Sequence, residues 1–254
     1  MTTLDPEGDA ERDRFAALLD GAPARSHKIP FWWRDDDATT VTPELERLLA
    51  LQSRHELPLA LAVIPKPADG DLAARLADEL RIAVLQHGWQ HRNHSPPDEK
   101  KMELGGHRPL PLVLEELSEG FERLGVLLPR QFMPVLVPPW NRIAESVLDA
   151  RHEVGLRGFS AIGPAPRSEA HWVNTHLDII DWQTRGPRSR ADLYAQLCRE
   201  VEQRLTGDLE PLGVLTHHLA HQQPSWDFLD ELFAFTARHG AVAWPPIPAL
   251  FDLP

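Results

Sequence analysis

The sequence predicts an α/β fold: a single-domain, distorted (β/α) barrel of about seven parallel strands with helices outside. Short, almost continuously apolar runs alternate with amphipathic segments, a pattern typical of parallel strands covered by helices. Compact polar clusters follow several of these strands. Barrel enzymes place their chemistry at that end of the strands, which favours a barrel over a doubly wound open sheet. A length of 254 residues suits one large domain.

The elements follow one another in a regular order along the chain. Strands are predicted over residues 29–33, 58–65, 82–86, 132–139, 158–163, 174–180, 213–218 and 241–245. Helices are predicted over residues 41–55, 70–80, 111–125, 144–155, 189–206 and 226–239. Thr42 is the predicted N-cap of the first of these helices, and Gly155 ends the fourth. Residues 1–25 are predicted to form an N-terminal leader or a peripheral helix, and residues 26–254 the barrel.

The composition excludes several classes of function. A formal net charge of −12 argues against a nucleic-acid-binding surface, which needs clustered Lys and Arg to neutralise phosphates. No apolar run approaches the length of about 18 residues that predicts a transmembrane helix. The N-terminus shows no signal-peptide pattern, so a cytoplasmic location is predicted. The single Cys198 is predicted to be a small core residue. Nothing in the sequence indicates the oligomeric state.

Five compact polar or aromatic clusters lie at or after predicted strands. They are R-D-D-D (34–37), H-G-W-Q-H (87–91), P-P-W-N-R (138–142), D-I-I-D-W (178–182) and T-H-H (216–218). Because the carboxyl ends of parallel strands meet on one rim of a barrel, we expect these clusters to converge there.

The aspartates and histidines of the first two clusters form a candidate metal site. Three adjacent carboxylates repel one another, so burying them requires a cation or a basic partner; the alternative is a solvated acidic loop. His87 and His91 are four residues apart, a spacing that allows both rings to chelate one ion, although each alone is equally suited to a loop. Two histidines and one carboxylate are a common ligand set that leaves positions open for water and substrate.

With these clusters in this order, residues 31–218 resemble the polysaccharide deacetylase family, the NodB-type carbohydrate esterases that remove N- or O-acetyl groups. The family's first motif is an aspartate pair, a base followed by a metal ligand. The resemblance assigns these roles to Asp36 and Asp37, with Asp35 and Asp36 as the alternative register. The second motif, His-Ser/Thr-x-x-His, is similar to residues 87–91 and implies His87 and His91 as the other metal ligands. Glycine replaces the hydroxyl residue at position 88.

The third motif, Arg-x-Pro followed by an aromatic residue, supplies one wall of the family's substrate groove. Pro139 and Trp140 are similar to its second half, but Val137 stands where the family has arginine. Arg142 is therefore a candidate source of the missing charge. The alternative is that the role of that arginine, orienting the aspartate, is lost.

The last two motifs complete the resemblance. Asp181 and Trp182 resemble the fourth motif, an aspartate and an aromatic residue on the opposite wall. Residues 215–217 resemble the fifth motif, Leu-x-His, which implies His217 as the general acid. His218, a further candidate for contact with the substrate, is the alternative acid if the register is shifted by one residue.

The resemblance, together with the chemistry of these residues, implies a metal-dependent hydrolase that removes an acetyl group from a carbohydrate or amino-sugar-like substrate, either a small molecule or an oligosaccharide. One divalent ion is expected, with Zn²⁺ as the first choice and Co²⁺, Ni²⁺, Fe²⁺ or Mn²⁺ as others that this ligand set accepts. Such an ion activates water and polarises a carbonyl group. Asp36 would accept the proton of the water and His217 would protonate the leaving group. The backbone N–H after Trp140 would help to hold the oxyanion.

The aromatic residues beside these groups are candidate substrate walls. Trp89, Trp140 and Trp182 offer flat apolar faces that suit a sugar ring, with burial in the core as the alternative. Lys101 is a candidate lid residue, and His176 is a candidate rim residue.

Two other functions are compatible with the sequence. One is a catalytically silent relative that binds metal and sugar, a possibility indicated by Gly88 and Val137 at the two altered motif positions. The other is a metal-dependent amide hydrolase that acts on a small non-sugar metabolite.

Overall fold

The computed structural model of the protein describes residues 5–22, 28–166, 171–208 and 210–253. These residues contain the strands β1 (Ile29–Ala38), β2 (Leu59–Val63), β3 (Ile82–His87), β4 (Phe132–Val137), β5 (Gly158–Phe159), β6 (Leu177–Asp178), β7 (Ile180–Asp181), β8 (Gly186–Pro187), β9 (Leu212–Thr216) and β10 (Val242–Ala243). The α-helices are α1 (Pro6–Asp20), α2 (Pro43–His55), α3 (Gly70–Leu76), α4 (Leu110–Leu127), α5 (Glu145–Ala150), α6 (Arg190–Leu205), α7 (Gln223–Thr236) and α8 (Ile247–Phe251). Short 3-10 helices span Pro139–Asn141, Arg151–Val154 and His218–Ala220.

Seven parallel strands form a curled half-barrel in the order β5-β4-β3-β2-β1-β9-β6, with helices around it, which confirms the predicted distorted (β/α) barrel. The short strand β10 pairs with the beginning of β1, and β7 and β8 form a separate antiparallel hairpin. Because the seven strands run in the same direction, their carboxyl ends meet at one rim.

Strand β1 alternates between the two faces of the sheet, as extended backbone requires. On the outer face Trp33 packs against Phe233 of α7, with ring centroids 4.7 Å apart. On the inner face Trp32 packs edge-on against Phe251 of α8, at a centroid distance of 5.9 Å. The same alternation places Arg34 on the face of Trp32, two residues further along the strand.

The first strand is longer than the sequence predicts. It continues through the acidic cluster to Ala38, whereas the apolar run predicts a strand that ends at residue 33. Arg34, Asp35 and Asp36 are almost completely buried and each has a buried polar partner. The solvated acidic loop is therefore excluded for these residues.

Other boundaries differ for local reasons. Strand β4 ends at Val137 because the next two residues are prolines, which have no N–H to continue the ladder. The predicted helix over 144–155 is divided into α5 and a 3-10 helix, which ends at Gly155 with φ +85°. The predicted strand over 158–163 retains only the two residues of β5, and the predicted strand over 174–180 is divided between β6 and the first residue of β7.

Helix α1 lies on the outside of the barrel against α6. Its Phe15 and Leu19 are buried, and the Phe15 ring lies 5.7 Å from that of Tyr194. Residues 1–4 and 23–25 of the predicted leader lie outside the described residues, so the proposed division at residue 25 stays a prediction. Cys198 is buried in α6 as a free thiol. No helix within the described ranges is long and apolar enough to span a membrane.

Candidate active site

A cavity of about 680 Å³ opens at the carboxyl ends of the strands, and residues from all five sequence clusters lie in its walls. The residues that line it are Asp36, Asp37, His87, His91, Lys101, Trp140, Asn141, Arg142, Ile162, Asp178, Trp182, Arg185 and His217. A second cavity, of about 660 Å³, lies at the opposite end of the sheet, where residues before β2, β3 and β4 form part of its wall.

Asp37, His87 and His91 converge on one point of the first cavity. Asp37 Oδ1 lies 3.2 Å from His87 Nε2 and 3.3 Å from His91 Nε2. One nitrogen or oxygen atom from each of the three residues lies within 4.8 Å of the others. The His87 Nδ1 atom lies 3.0 Å from the carbonyl oxygen of Val137, a contact that holds the ring with Nε2 towards the cavity.

The protonation preferences of these groups also fit a metal site. Burial raises the pKa of Asp37, but the adjacent His87 ring and the charges of His87 and His91 outweigh it and lower the pKa overall. Burial and the neighbouring His87 lower the pKa of His91, which favours the neutral ring that ligates metals. Burial also lowers the pKa of His87, but Asp37 and Asp36 outweigh this effect and raise it. A metal ion would therefore compete with a proton at His87.

The donor set fits a divalent ion because Asp37 Oδ1 is buried without a hydrogen-bond partner among the described residues. Two of the three residues also adopt unusual backbone conformations, with φ of 76° at Asp37 and 57° at His91. A positive φ at a non-glycine residue is uncommon and is often found where function constrains the backbone.

Gly88, between the two histidines, has a structural reason to replace the family's hydroxyl residue. Its φ is +58°, and a Cβ atom there would lie 2.1 Å from Glu103 Oε2 and 2.6 Å from Pro139 Cγ. Glu103 is fully buried and accepts hydrogen bonds from the backbone N–H groups of Trp89, Gln90 and Arg92 at 3.1, 2.9 and 3.2 Å. The carboxylate of Glu103 thus fills the space that a side chain at position 88 would occupy.

Arg34 gives Asp36 a cationic partner, the contact that the arginine of the third motif was expected to make. Its Nε donates to Asp36 Oδ1 at 2.8 Å and its Nη2 to Asp36 Oδ2 at 3.1 Å, a two-pronged contact that fixes the carboxylate. The guanidinium group is itself held by Ser160 Oγ at 2.7 Å and Asn141 Oδ1 at 2.9 Å. Arg142, the residue predicted to supply this charge, makes a different contact. Its Nη1 instead donates to the carbonyl oxygen of Lys101 at 3.0 Å.

Asp35 lies on the opposite face of β1 and pairs with His218. It accepts hydrogen bonds from Thr216 Oγ1 at 2.6 Å, from the His218 backbone N–H at 3.0 Å and from the His218 ring. Burial raises the pKa of Asp35, but His218 outweighs it and lowers the pKa, while Asp35 in turn raises the pKa of His218 against the effect of burial. Asp35 and His218 lie outside the cavity lining, so the geometry favours the register with Asp36 and Asp37 and disfavours His218 as acid or substrate contact.

His217 faces Asp36 across the cavity floor, with 4.0 Å between His217 Nε2 and Asp36 Oδ2. The ring packs edge-on against Trp182, at a centroid distance of 4.6 Å. Its Nδ1 atom is buried without a hydrogen-bond partner among the described residues. Asp178 lies in the same wall, and burial raises its pKa although the charge of His217 opposes this.

The acidic residue of the fourth cluster is Asp178 rather than Asp181. Asp178 accepts a hydrogen bond from Trp182 Nε1 at 2.7 Å and lies in the cavity wall. Asp181 instead accepts hydrogen bonds from the backbone N–H of Gln183 and from Thr184 Oγ1, each at 2.9 Å, within its own turn. Because Ile180 is buried, the alternation of β7 turns Asp181 away from the core.

The aromatic walls are Trp140 and Trp182. The Trp140 ring lies 4.3 Å from that of His91, and Trp182 is 49% exposed at the opposite side of the cavity. Trp89 and Pro139, both predicted to contact the substrate, are buried and outside the cavity lining. The N–H after Trp140, predicted to hold the oxyanion, belongs to Asn141 and donates to the carbonyl oxygen of Pro138 at 2.9 Å.

Some residues of the site could have been predicted from the sequence and others could not. Arg34 and Asp36 are two residues apart, so reading the acidic cluster as extended strand would have placed both on one face. The predicted rim residue His176 instead accepts a hydrogen bond from the Gly213 N–H at 3.2 Å and is buried outside the cavity. Glu103 reaches the histidine loop from a separate segment, and no local pattern indicates it.

Comparison with known proteins identifies the fold. No protein-family model and no curated protein matches the sequence. Among solved structures, the Bc1960 peptidoglycan N-acetylglucosamine deacetylase is similar with a TM-score of 0.58 and 17% identity, over 91% of each chain. A mutant of BA3943, a CE4 family pseudoenzyme with restored activity, has a TM-score of 0.58 and 14% identity, over 89% of this chain and 68% of that one.

A family 4 acetyl xylan esterase from Clostridium thermocellum, solved with a cobalt ion, has a TM-score of 0.56 and 10% identity, over 88% of this chain and 90% of that one. All three similarities extend along most of this chain, at identities that establish the fold alone. The protein therefore has the NodB-type deacetylase fold, as the resemblance of its motifs implied.

Proposed function

We propose that the protein is a metal-dependent hydrolase that removes an acetyl group from a carbohydrate or amino-sugar-like substrate. One observation carries the proposal: the three converging side chains Asp37, His87 and His91 share one cavity with Asp36 and His217. A metal-ligand set beside a carboxylate and an imidazole is a combination that can catalyse metal-assisted hydrolysis of an amide or ester.

Asp37, His87 and His91 would hold the ion, and Zn²⁺ is the first choice for such a ligand set. When bound, a divalent ion lowers the pKa of water and polarises the acyl carbonyl group. The chain itself would orient the three ligands. Val137 fixes the His87 ring through its carbonyl oxygen, and Glu103 fixes the loop that carries His91.

Asp36 would act as the general base. Arg34 contacts both of its carboxylate oxygens, so the orientation of the group towards the cavity is fixed before substrate binds. As the attacking water forms its bond to the acyl carbon, Asp36 would accept one of the water's protons.

His217 would act as the general acid. It lies across the cavity floor from Asp36, and Trp182 packs against its ring. As the bond between the acyl carbon and the leaving nitrogen or oxygen breaks, a protonated His217 would give its proton to that atom. Asp178 lies in the same wall of the cavity as His217.

The cavity walls support a sugar-like substrate. Trp140 and Trp182 stand on either side of the proposed reacting groups and offer apolar ring faces to a pyranose. Two structural neighbours are described as a peptidoglycan N-acetylglucosamine deacetylase and an acetyl xylan esterase, so both amide and ester substrates occur on this fold.

The described residues also bear on the alternative of a silent relative. A pseudoenzyme is among the structural neighbours. However, the two altered motif positions that indicate loss of activity have local replacements here. Arg34 contacts Asp36 where Val137 cannot, and Glu103 fills the space beside Gly88. These contacts support the enzyme over the silent relative.

The substitution Asp36→Asn tests the proposal. Loss of the base should reduce acetate release from acetylated sugars by about 100-fold or more, while the metal content stays unchanged because Asp36 is not a proposed ligand. Asp181→Asn is the matched control, since it makes the same change outside the cavity and should retain activity. Full activity in Asp36→Asn would contradict the proposal. A screen that includes small non-sugar amides distinguishes the remaining alternative substrate class.

A further inference from the structure

The mouth of the cavity carries three cationic side chains, Lys101, Arg142 and Arg185. We propose that they bind an anionic group of the substrate, a carboxylate or a phosphate, so that the substrate is an acidic acetylated sugar. This inference rests on the function proposed above and specifies its substrate class. The three residues are called the cationic rim below.

The rim residues have no acidic partner among the described parts of the chain. None of the ion pairs there involves Lys101, Arg142 or Arg185, although acidic residues outnumber basic ones by 38 to 26 in the sequence. Arg142 Nη1 donates a hydrogen bond to a backbone atom, the carbonyl oxygen of Lys101, at 3.0 Å. Their positive charges are therefore available to a ligand.

The acidic residues of the same cavity, in contrast, already have partners. Asp36 is neutralised by Arg34, and Asp37 lies between two histidines where an ion would add further positive charge. Asp178 accepts hydrogen bonds from Trp182 Nε1 at 2.7 Å and from the Ile180 N–H at 2.9 Å. With Arg34 counted, four cationic and three acidic side chains belong to this site, and three of the cations, Lys101, Arg142 and Arg185, lie at its mouth in a chain of net charge −12.

The rim charges accompany both aromatic walls. Lys101 Nζ lies 6.0 Å from the centre of the Trp140 ring, and Arg142 follows that tryptophan by two residues. Arg185 lies beside Trp182 in the turn of the β7–β8 hairpin, with φ of 56°. A cavity of about 680 Å³ accommodates a small sugar derivative. A sugar between the two tryptophans would bring an acidic substituent within reach of the cationic rim.

Equilibrium binding of non-acetylated product analogues tests the inference without requiring turnover. The probes are glucosamine, glucosamine 6-phosphate and muramic acid, which share the amine and differ in carrying no anion, a phosphate or a carboxylate. Calorimetric titration of the zinc-loaded protein should show binding about tenfold tighter, or more, for at least one acidic probe than for glucosamine. That preference should weaken as the salt concentration rises. The acidic probe that binds more tightly identifies the anion.

Charge reversal locates the effect. Lys101→Glu and Arg185→Glu should each weaken binding of the preferred acidic probe by about tenfold and change glucosamine binding little. Arg130→Glu is the matched control, because Arg130 is an exposed residue of the second cavity at the other end of the sheet, and it should leave the preference intact.

The two proposals can fail separately. Equal binding of all three probes, or a preference that survives both reversals at the rim, would overturn the cationic rim as an anion site, whatever the activity. Absence of acetate release from neutral and acidic acetylated sugars, with the preference for an acidic probe retained, would overturn the hydrolase and leave the anion site supported.

Discussion

At the scale of single residues, Arg34 and Asp36 form a buried ion pair within one strand. They lie two residues apart on an extended strand, so they share a face and their side chains meet. The Arg34 guanidinium group donates hydrogen bonds to both carboxylate oxygens of Asp36. It also donates to the side-chain oxygens of Ser160 and Asn141, which fix its position. Val137 in the third motif therefore does not leave the proposed base without a cationic partner.

Substitution of Arg34 tests this role directly. Arg34→Gln should lower kcat for acetate release by about tenfold to 100-fold with little change in KM, because the base loses its orientation while the substrate walls remain. Metal content should be unchanged. The free energy of unfolding should fall by about 3 kcal/mol, since a buried carboxylate loses its charged partner.

Arg34→Lys separates orientation from charge. It keeps the positive charge but cannot make the two-pronged contact, so its kcat should lie between those of Arg34→Gln and the wild type. Equal kcat values in the wild type and a folded Arg34→Gln protein would rule out Arg34 as a positioning residue.

At the scale of elements, the loop after β3 is held by a segment distant in sequence. Glu103 accepts hydrogen bonds from three backbone N–H groups in residues 89–92, the segment that carries His91, and Gly88 leaves room for its carboxylate. This arrangement places His91 at a positive φ opposite His87. The loop geometry therefore depends on a small residue at position 88 and an acceptor at position 103 acting together.

Gly88→Ala should destabilise the protein by about 1–3 kcal/mol, because it adds a Cβ against Glu103 and Pro139 at a positive φ. Gly106→Ala is the matched control: no atom lies within 4 Å of its Cβ position, so its effect should be small. Chemical denaturation of both variants gives the comparison. Equal stability of the two would show that Glu103 and Pro139 do not restrict position 88.

Glu103→Ala should weaken Zn²⁺ binding by about tenfold to 100-fold, because the segment that carries His91 loses the carboxylate that accepts three of its backbone hydrogen bonds. Competition with a chromogenic chelator measures this affinity. Glu116→Ala, which removes an ion pair to Arg108 away from the loop, provides the control. Unchanged Zn²⁺ affinity in Glu103→Ala would contradict an orienting role for this carboxylate.

At the scale of the whole molecule, the sequence predicted the barrel because alternating apolar runs and helices leave few arrangements for a parallel sheet. The sequence also predicted that Asp37, His87, His91 and His217 lie at one rim, because the ends of parallel strands converge, and all four line the cavity. It did not predict contacts between distant segments. Asp178 lies in the cavity wall and Asp181 does not, because the short β7–β8 hairpin turns Asp181 away. The sequence pattern alone does not show this hairpin.

The N-terminal helix is joined to the barrel by an ion-pair cluster that makes stability depend on pH. Glu231 of α7 lies 2.7 Å from Arg190 of α6 and 2.9 Å from Arg12 of α1. Burial raises the pKa of Glu231, but Arg190 outweighs it and lowers the pKa below the ordinary 4.5. The resulting stabilisation is complete above about pH 4.5 and is lost as the pH falls through the lowered value.

Glu231→Gln should therefore cost about 1–2 kcal/mol of unfolding free energy at neutral pH, and the difference from the wild type should shrink as the pH falls below 4.5. Denaturant titrations of the metal-free proteins across this range measure the effect. The exposed Glu122, changed to Gln, provides a control that should show little difference at any pH. A constant difference for Glu231→Gln at all pH values would contradict the linkage.

The central claim is that Asp37, His87 and His91 hold a divalent ion in a hydrolase cavity. Elemental analysis of the purified protein and of Asp37→Asn tests it most directly, because asparagine tolerates the positive φ at this position but removes the charged ligand. We predict about one divalent ion per wild-type chain and a large loss of metal from the variant. A wild-type protein that binds no stoichiometric metal after exposure to Zn²⁺, or equal metal content in both proteins, would contradict the account.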